Sequence, residues 1–274
     1  DGAGEIVDIG AGVKEWKNGD RVVGCFFPHF HDGEAQEYLL RDAPGGIADG
    51  VACQYRVFNR DAILPVPSQL SYAEAATLPC AALTAWNGVR VAHKTGPEHV
   101  VLTQGTGGVS LFALQFAKAA GATVIATSSS EEKLARLRSL GADHVINYRE
   151  DAEWGKTARK LTNGRGVDLV VEVGGAGTIK QSIRASKLGG TIPLIGVVAG
   201  PAIDLPLPLI TMNLLNVIGV ALGNRRQFSD MLRAIDQHSI KPVIDRVFPM
   251  EQLAEALTWL QGGNHLGKVC IEID

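Results

Sequence analysis

The stretch from Val100 to Thr127 constrains the fold of this chain more than any other. An apolar run at its start, Val100–Leu102, leads into a cluster of three glycines within four residues. A helical pattern of apolar residues follows and stops at Gly121, and a second β-branched run begins at Thr123. This order of strand, tight turn, helix and strand predicts one βαβ unit with parallel strands.

The glycine turn between the first strand and the helix predicts a dinucleotide-binding loop. Glycine has no Cβ, so the backbone can turn sharply and approach a pyrophosphate, while the following helix directs free N–H groups toward the phosphates. The pattern G-x-G-x-x-G has serine in place of its third glycine, at Ser110. A glycine-rich turn in an ordinary parallel α/β domain is the alternative, but the flanking strands and helix favour the dinucleotide interpretation. The predicted cofactor-binding residues of this loop are Gly105, Thr106, Gly107, Gly108 and Val109.

The end of the second strand indicates which cofactor is bound. An Asp or Glu there would accept a hydrogen bond from the adenosine ribose 2′-hydroxyl and favour NAD. Three serines follow Thr127 instead, and the next carboxylates, Glu131 and Glu132, belong to the following helix. Hydroxyl groups tolerate a 2′-phosphate without charge repulsion and Lys133 can pair with it, so we predict NADP(H), with NAD as the alternative. The alternative is a purely structural role, in which Ser130 is the N-cap of the following helix and Lys133 is a solvated surface charge. The residues predicted to bind the 2′-phosphate end are Ser128, Ser129 and Lys133.

Alternating strand and helix patterns continue to Val220 and predict an α/β fold with a doubly wound parallel sheet. The predicted strands are Val100–Gln104, Thr123–Thr127, His144–Asn147, Val167–Glu172, Thr191–Ile195 and Val217–Val220. The predicted helices are Val109–Ala120, Glu131–Leu140, Trp154–Leu161, Thr178–Ser186 and Leu209–Asn213. Six parallel strands with helices between them make the two mononucleotide-binding halves of a Rossmann fold.

The segments on either side have different patterns. Residues 1–67 contain short apolar runs separated by Gly, Asn, Asp and Pro, which predict a small barrel or an irregular sheet. Residues 68–93 are predicted to be helical, with a second helix from about Ala82 to His93 and with Ser71 and Glu74 forming a capping box. The apolar runs are Ile6–Ile9, Arg21–Gly24, Val57–Phe58 and Ile63–Val66. The tail is predicted to form helix, strand, helix and strand at Gln227–His238, Val243–Phe248, Glu251–Gln261 and Lys268–Ile273.

Composition excludes several classes of function. The chain has 274 residues, 46% of them hydrophobic and 20% charged, as is usual for a globular protein. Its net charge of −3 gives no basic footprint for nucleic acid or an anionic membrane surface, and no apolar run is long enough to span a bilayer. The four cysteines lie far apart with no C-x-x-C pair, which favours a reduced and therefore cytoplasmic location.

A set of further motifs, in a fixed order, covers essentially the whole chain. D-G-A-G-E-I-V-D-I-G at residues 1–10 and W-K-N-G-D-R-V at 16–22 precede A-A-T-L-P-C-A-A-L-T-A-W at 75–86. After the cofactor loop come S-L-G-A-D-H-V-I-N-Y at 139–148 and G-K-V at 267–269. This set resembles the medium-chain dehydrogenase/reductase superfamily, in particular its quinone-reductase-like and zinc-type alcohol-dehydrogenase-like members.

The resemblance implies a division into domains. It implies a GroES-like β-barrel catalytic domain at residues 1–93, a Rossmann NAD(P)-binding domain at 94–223 and a return to the catalytic domain at 224–274. It also implies that family members carry roughly fifty to sixty residues before the equivalent of Asp1, including one catalytic segment.

Glycines at the strand ends are candidate neighbours of the nicotinamide. The cofactor of an open α/β sheet lies across the carboxyl ends of the strands, where Gly174, Gly196 and Gly223 are predicted to lie. Tight turning from strand to loop is an equal alternative for all three. Asn224 could also reach the cofactor, although a polar loop that leads into a helix is the more ordinary explanation.

Further roles come from the resemblance alone. Thr84 should face the nicotinamide, and Lys133 and Tyr148 look like the residues that hold the 2′-phosphate in quinone reductases. Tyr148 could equally be an aromatic residue at the edge of the core.

A catalytic zinc is the sharpest question that the resemblance raises. Zinc-dependent members use two cysteines and a histidine, and Cys80 in L-P-C-A-A-L-T stands in the place of the last ligand. The histidine would immediately precede Asp1, and the four closely spaced cysteines of a structural zinc lobe are missing between Cys25 and Cys53. A lone cysteine is more often a small buried apolar residue, and the histidines of P-H-F-H-D at 28–32 are better explained as solvated. We therefore expect no metal.

The cofactor loop and the resemblance together predict an NADPH-dependent oxidoreductase with a small-molecule substrate. The expected reaction is zinc-independent hydride transfer to a quinone or to an α,β-unsaturated carbonyl, with Thr84 and Cys80 as the candidate catalytic residues. A zinc-dependent alcohol/aldehyde dehydrogenase and an NADPH-binding protein without catalysis are the alternatives. The apolar strand Val217–Val220 and the resemblance predict a homodimer.

Overall fold

The computed structural model describes all residues from Asp1 to Asp274 and contains two compact units. Unit 1 consists of Asp1–Leu83 and Leu222–Asp274, and unit 2 consists of Thr84–Ala221. The predicted domain boundaries after residues 93 and 223 stay a prediction. The helical segment after Leu83 belongs with unit 2, because Gly88 packs there against Pro193.

Unit 1 begins with a three-stranded antiparallel sheet of strand order β1-β2-β3. Short 3₁₀ helices at Glu37–Leu40 and Arg60–Ala62 interrupt the long connection between the second and third strands. The apolar run at 57–58 is not a strand, because this segment pairs with no neighbour and Val57 is 95% exposed. The run at 6–9 is also not a strand. The strands are β1 Ala3–Glu5, β2 Arg21–Gly24 and β3 Ile63–Pro65.

The helical segment after the sheet is less regular than its sequence predicts. Helix α1, Tyr72–Ala76, begins with the predicted capping box of Ser71 and Glu74. Helix α2 is only four residues long and has a π-helical segment on each side, where hydrogen bonds span five residues instead of four. Pro79 stands in the first of these segments and has no N–H to donate. The bounds are Leu78–Ala82 (π), Leu83–Trp86 (α2) and Asn87–Val91 (π).

Unit 2 is a six-stranded parallel sheet with the order β6-β5-β4-β7-β8-β9. This order confirms the predicted doubly wound Rossmann sheet, and the chain reverses direction across the sheet between β4 and β7. The strands are β4 Val100–Gln104, β5 Thr123–Ser128, β6 His144–Asn147, β7 Val167–Val171, β8 Ser186–Leu194 and β9 Asn216–Gly219. The helices are α3 Gly108–Ala119, α4 Glu131–Ser139, α5 Trp154–Leu161, α6 Ile179–Ala185 and α7 Pro208–Thr211, with a 3₁₀ turn at Gly175–Gly177.

Apolar strand residues and the inner faces of the helices form the core of unit 2. Leu102, Ile125 and Val170 are fully buried at the centre of the sheet, and Trp154 and Ile183 cover them from α5 and α6. Strands β4, β5 and β7 are buried on both faces, apart from the first residues of β4 and β5, which are half-buried.

A buried carboxylate fastens the amino edge of this sheet. Asp168, at the start of β7 and 1% exposed, accepts hydrogen bonds from the Val100 N–H, at 2.8 Å, and from both Arg165 and Lys187. Burial alone would raise the pKa of Asp168, but these hydrogen bonds outweigh it and hold the pKa well below its usual range. Asp168 thus holds β7 against β4 at the amino-terminal ends of both strands.

The tail from Leu222 to Asp274 belongs to unit 1. Its strands pair in parallel, and α8 buries Phe228, Met231, Leu232 and Ile235 along one face. The elements are α8 Arg225–Gln237, β10 Ile244–Pro249, a 3₁₀ turn at Met250–Gln252, α9 Leu253–Gln261 and β11 Lys268–Glu272. Across both units, no helix combines the length and the apolar character that crossing a membrane requires.

Candidate cofactor and active site

The turn after β4 is open in the way that a phosphate-binding loop requires. Gly105 has φ +73°, a left-handed conformation that favours glycine, and its N–H donates to the Thr127 carbonyl at 2.8 Å. A Cβ placed at Gly105 or Gly107 would meet no atom within 4 Å. The space in front of the loop is therefore free, and side chains at these two positions would fill it.

Helix α3 starts at this turn with its first N–H groups uncapped. Gly107 is the N-cap residue and supplies no side-chain hydrogen bond, while Gly108 and Val109 form the first turn. These N–H groups and the positive end of the helix dipole are suited to an anion. Ser110 explains why the third glycine of the pattern is dispensable, because its buried hydroxyl donates to the Gln104 carbonyl at 2.5 Å and ties the helix to the strand. Thr106 is buried within the same turn.

The end of β5 carries hydroxyl groups and no carboxylate. Ser128 ends the strand and is buried, whereas Ser129 is half-buried. Ser130 caps helix α4, since its hydroxyl accepts a hydrogen bond from the Lys133 N–H, so the structural interpretation of Ser130 is confirmed. The Lys133 side chain is half-buried in the first turn of the same helix.

Tyr148 lies next to this strand end. Strands β5 and β6 pair in register up to Ser128 and Asn147, and the Tyr148 N–H donates to the Ser128 carbonyl at 3.0 Å. The Tyr148 side chain is 41% exposed, so it is not a buried core residue. The structure thus brings the glycine turn, the serines and Tyr148 together on the carboxyl edge of three adjacent strands.

The turns after β7 and β8 are filled rather than open. A Cβ at Gly174 would lie 2.3 Å from the Thr178 hydroxyl, and one at Gly196 would lie 2.3 Å from the Val173 carbonyl oxygen. Gly175 has φ +78° and would meet the Gly200 carbonyl at 2.7 Å. Packing of these turns against each other is enough to require glycine, which supports the structural interpretation of Gly174 and Gly196.

A network of buried polar side chains beneath these turns was missed by the sequence analysis. Glu172 directly follows β7, is 0% exposed and bonds to Gln104 at the end of β4, with 2.9 Å between Oε2 and Nε2. Ser182 on α6 bonds to both side chains. The signal for this network was present, since a glutamate ends the apolar run V-D-L-V-V-E and a glutamine precedes the glycine turn.

Thr84 is buried in α2 and its hydroxyl donates to the Ala221 carbonyl at 3.0 Å. Its predicted contact with the nicotinamide stays a prediction.

In unit 1, Gly223 is buried and Asn224 is the N-cap of α8. The Asn224 side chain accepts from the Gln227 N–H and the Gln227 side chain accepts from the Asn224 N–H, both at 2.9 Å. This capping box accounts for Asn224 without a cofactor.

Cys80, which stands in the place of the last zinc ligand, is half-buried in unit 1. Burial raises the pKa of the Cys80 thiol, an effect that the positive charge of Lys268 only partly offsets. No group of three His, Cys, Asp or Glu residues in the structure could hold a metal ion.

Comparison with known proteins agrees with this geometry. The alcohol dehydrogenase GroES-like domain family matches residues 1–68, and the zinc-binding dehydrogenase family matches residues 108–237. A zinc-type alcohol dehydrogenase-like protein of Schizosaccharomyces pombe is 44% identical over 280 residues, covering 100% of this chain and 81% of that protein. The chain belongs to the medium-chain dehydrogenase/reductase superfamily.

Solved structures of this superfamily have the same fold. An NAD-dependent alcohol dehydrogenase superposes with a TM-score of 0.91 at 33% identity, covering 100% of this chain and 82% of that one. The 2-octenoyl-CoA carboxylase reductase CinF from Streptomyces sp., solved with NADP and 2-octenoyl-CoA, gives a TM-score of 0.86 at 28% identity, covering 99% of this chain and 67% of that one. This medium-chain dehydrogenase/reductase is accordingly an NAD(P)-dependent oxidoreductase, with a Rossmann domain and a GroES-like domain.

Proposed function

We propose that the protein uses NADPH, acts without zinc and transfers hydride to a quinone or to the β-carbon of an α,β-unsaturated carbonyl. The observation that carries the proposal is the end of β5, where Ser128 and Ser129 stand in place of the carboxylate that would bind a ribose 2′-hydroxyl. Lys133 in the first turn of α4 adds a positive charge on the same side.

The zinc-independent part of the proposal rests on Cys80, which is half-buried and belongs to no group of three His, Cys, Asp or Glu residues that could hold a metal ion. The alcohol dehydrogenase alternative needs a Lewis acid at the substrate oxygen, held by three protein ligands. Without a metal, positioning of the reactants supplies the catalysis.

The substrate class is supported by the chemistry of relatives. CinF is described as bound to 2-octenoyl-CoA, an α,β-unsaturated thioester, and to NADP. Reduced nicotinamide supplies a hydride, which a conjugated acceptor takes at its β-carbon without any need for a metal at oxygen. In this proposal the loop Gly105–Val109 holds the pyrophosphate, while Ser128, Ser129, Lys133 and Tyr148 hold the 2′-phosphate end.

Turnover tests the reaction. NADPH oxidation by the purified protein would be followed at 340 nm with quinones, enones, enoyl thioesters and aldehydes, before and after treatment with a zinc chelator. We expect oxidation with a quinone or an enone and no change after chelation. Activity confined to aldehydes and lost on chelation would favour the alcohol dehydrogenase, and tight NADPH binding without turnover would favour the non-catalytic alternative.

A pair of basic residues on α4 tests the 2′-phosphate site. Lys133→Ala should raise the Kd for NADPH by about tenfold, the equivalent of about 1.4 kcal/mol, and leave the Kd for NADH within about twofold. Arg138→Ala removes an exposed charge from the other end of the same helix and is the matched control. Equal loss of NADPH affinity in both variants would assign the effect to general charge rather than to a 2′-phosphate contact.

The proposal includes a homodimer through β9. This strand lies at the edge of the sheet, contains no charged residue, and leaves Val217 and Ile218 38% and 37% exposed. Two copies related by a two-fold axis would pair their β9 strands antiparallel. Light scattering should give twice the 29.1 kDa of one chain, and Ile218→Lys should give the mass of a monomer. A monomeric wild type would contradict this part.

A cytosolic location also belongs to the proposal. The four cysteines are free of disulfides, and Cys25 and Cys270 are buried. Fractionation of the source cells should place the protein with cytosolic markers, and recovery with membrane or secreted fractions would contradict it.

A further inference from the structure

Five donors converge on one buried carboxylate at the carboxyl end of β7. Oε1 of Glu172 accepts from the N–H groups of Gly174 and Gly175, at 2.8 and 2.9 Å, and from the Thr178 hydroxyl. Oε2 accepts from the amide of Gln104, at 2.9 Å, and from the Ser182 hydroxyl. Glu172 is 0% exposed and pairs with no Lys or Arg, unlike Asp168 at the other end of the same strand.

The Glu172–Gln104 bond crosses the point where the sheet reverses its strand order. Gln104 ends β4 and immediately precedes the glycine turn, and Glu172 follows the adjacent strand β7. The Gln104 side-chain oxygen also accepts from the Val173 N–H at 3.2 Å. The two side chains therefore hold the end of β4 and the turn after β7 in one register, at the place where dinucleotides bind to such sheets.

The same carboxylate sets the direction of the peptide groups in the turn after β7. The Gly174 and Gly175 N–H groups both point inward to Glu172, and Gly175 adopts φ +78°. This turn packs against the turn after β8, because the Ala199 N–H donates to the Gly174 carbonyl at 2.7 Å and the Ala176 N–H donates to the Gly200 carbonyl at 3.0 Å. A change at Glu172 would move both turns.

We propose that Glu172 is a positioning residue for the nicotinamide half of the cofactor, acting through Gln104 and the turn Gly174–Gly175. The inference rests on the proposed placement of the cofactor across the carboxyl edge of this sheet. The adenosine half belongs to the side of β5 and β6, where the serines and Tyr148 lie. The nicotinamide half belongs to the side of β7 and β8, whose turns Glu172 holds.

Hydrogen-bond chemistry gives a specific way to break this arrangement and to repair it. In Glu172→Gln, the new NH₂ group would face the donors Gly174 and Gly175 if it took the place of Oε1. In the place of Oε2 it would face the NH₂ group of Gln104, and turning the Gln104 amide to accept from it would bring the Gln104 NH₂ group against the Val173 N–H. In the exchange variant, which combines Glu172→Gln with Gln104→Glu, the carboxylate moves to β4. There it accepts from the Val173 N–H, from the Ser182 hydroxyl and from the new amide group on the β7 side. Every bond of the network then has a donor and an acceptor again.

The experiment compares whole and half cofactors on the purified protein. Kd values for NADPH and for 2′,5′-ADP, which carries only the adenosine half, would be measured by calorimetry for each variant. Glu172→Gln should raise the Kd for NADPH at least about tenfold and leave that for 2′,5′-ADP within about twofold. The exchange variant should bring the NADPH value back to within about threefold of wild type. Asp168→Asn, which alters a buried carboxylate at the amino end of β7, should lower Tm without changing the ratio of the two Kd values.

Each other result overturns the inference. An unchanged NADPH affinity, a proportional loss for both probes, or no recovery in the exchange variant would show that Glu172 has a structural role alone. If Glu172→Gln does not fold, Thr178→Val removes one donor to the same carboxylate, and it should raise the NADPH value about threefold with 2′,5′-ADP unaffected. If wild type prefers NADH, the proposed cofactor preference fails separately, and the same comparison is made with NADH and 5′-AMP.

Discussion

The glycine turn after β4 and the glycine turns after β7 and β8 look alike in sequence and differ in structure. At Gly105 and Gly107 an added Cβ would meet nothing within 4 Å, whereas at Gly174 and Gly196 it would lie 2.3 Å from an oxygen atom. In the proposed function, the first turn has glycine because the cofactor has to come close. The others have glycine because the protein itself already occupies the space.

This contrast separates binding from support along one edge of the sheet. Helix α3 behind the open turn has an uncapped first turn, as an anion site needs. Behind the filled turns, the buried Glu172 uses the N–H groups of Gly174 and Gly175 internally. Substitutions in the filled turns should therefore cost mainly stability and act on the cofactor only by moving these turns, whereas substitutions in the open turn should act on cofactor affinity directly.

The largest expected effect is a loss of stability from a substitution in the filled turn after β8. Gly196→Ala places a methyl group against the Val173 carbonyl, and main-chain atoms of two packed turns cannot move aside cheaply. We expect a loss of unfolding free energy on the order of 4 kcal/mol, at the upper end for point mutations. Urea unfolding measures it, with Gly12→Ala as a control for the glycine change, because Gly12 lies in an exposed turn outside the left-handed region and without neighbours within 4 Å. A loss no larger than that of the control would contradict the assignment.

The next largest effect on stability is expected at Asp168, at the amino-terminal edge of the sheet. Hydrogen bonds from Arg165 and Lys187 hold the folded-state pKa of Asp168 below its unfolded value of about 3.9. The stabilisation is therefore fully present above about pH 4 and is lost as the pH falls below it. Asp168→Asn should cost about 3 kcal/mol at neutral pH and should flatten the acid side of the curve of stability against pH.

Asp143 gives the control for this pH effect. It also accepts a main-chain N–H, from Val124, and pairs with Lys118, but its side chain is 38% exposed. Asp143→Asn should cost less than about 1 kcal/mol. Equal losses in the two variants, in thermal unfolding scans across the acid range up to neutral pH, would show that burial of Asp168 contributes nothing special.

The smallest effect on stability should be on the open side. Gly107→Ala keeps a compatible backbone, since φ is −74° and ψ is 170°, and loses under about 1 kcal/mol of stability as an N-cap change. The new methyl group fills the space in front of the loop, so the Kd for NADPH should rise at least about tenfold. A variant that binds NADPH normally would contradict the assignment of this turn as the phosphate site.

Much of unit 2 could be predicted because its signals are local. The apolar runs of β4 and β5, the turn at Gly105 and the stop at Gly121 each determine a nearby element, so the βαβ unit follows. The role of Ser130 as a helix cap was also readable from the sequence.

The parts that were missed depend on distant partners. The π-helical segments around Leu83 are not visible in apolar periodicity, and the run at 57–58 lacks a pairing strand in the fold. Whether Gly174 faces a ligand or packed chain depends on Thr178 and on the turn after β8, which only the tertiary structure brings together. The network around Glu172 was missed for the same reason, because its bond to Gln104 joins residues that are 68 positions apart in the sequence.

One titration tests the central claim that the carboxyl edge of unit 2 is an open site for NADPH. Nicotinamide fluorescence would be followed as the purified protein is titrated with NADPH and with NADH, and zinc would be assayed on the same sample. We predict that NADPH binds at least about tenfold more tightly than NADH and that the protein carries no stoichiometric zinc. Tighter binding of NADH, or one firmly held zinc per chain, would contradict the account and favour an alcohol dehydrogenase.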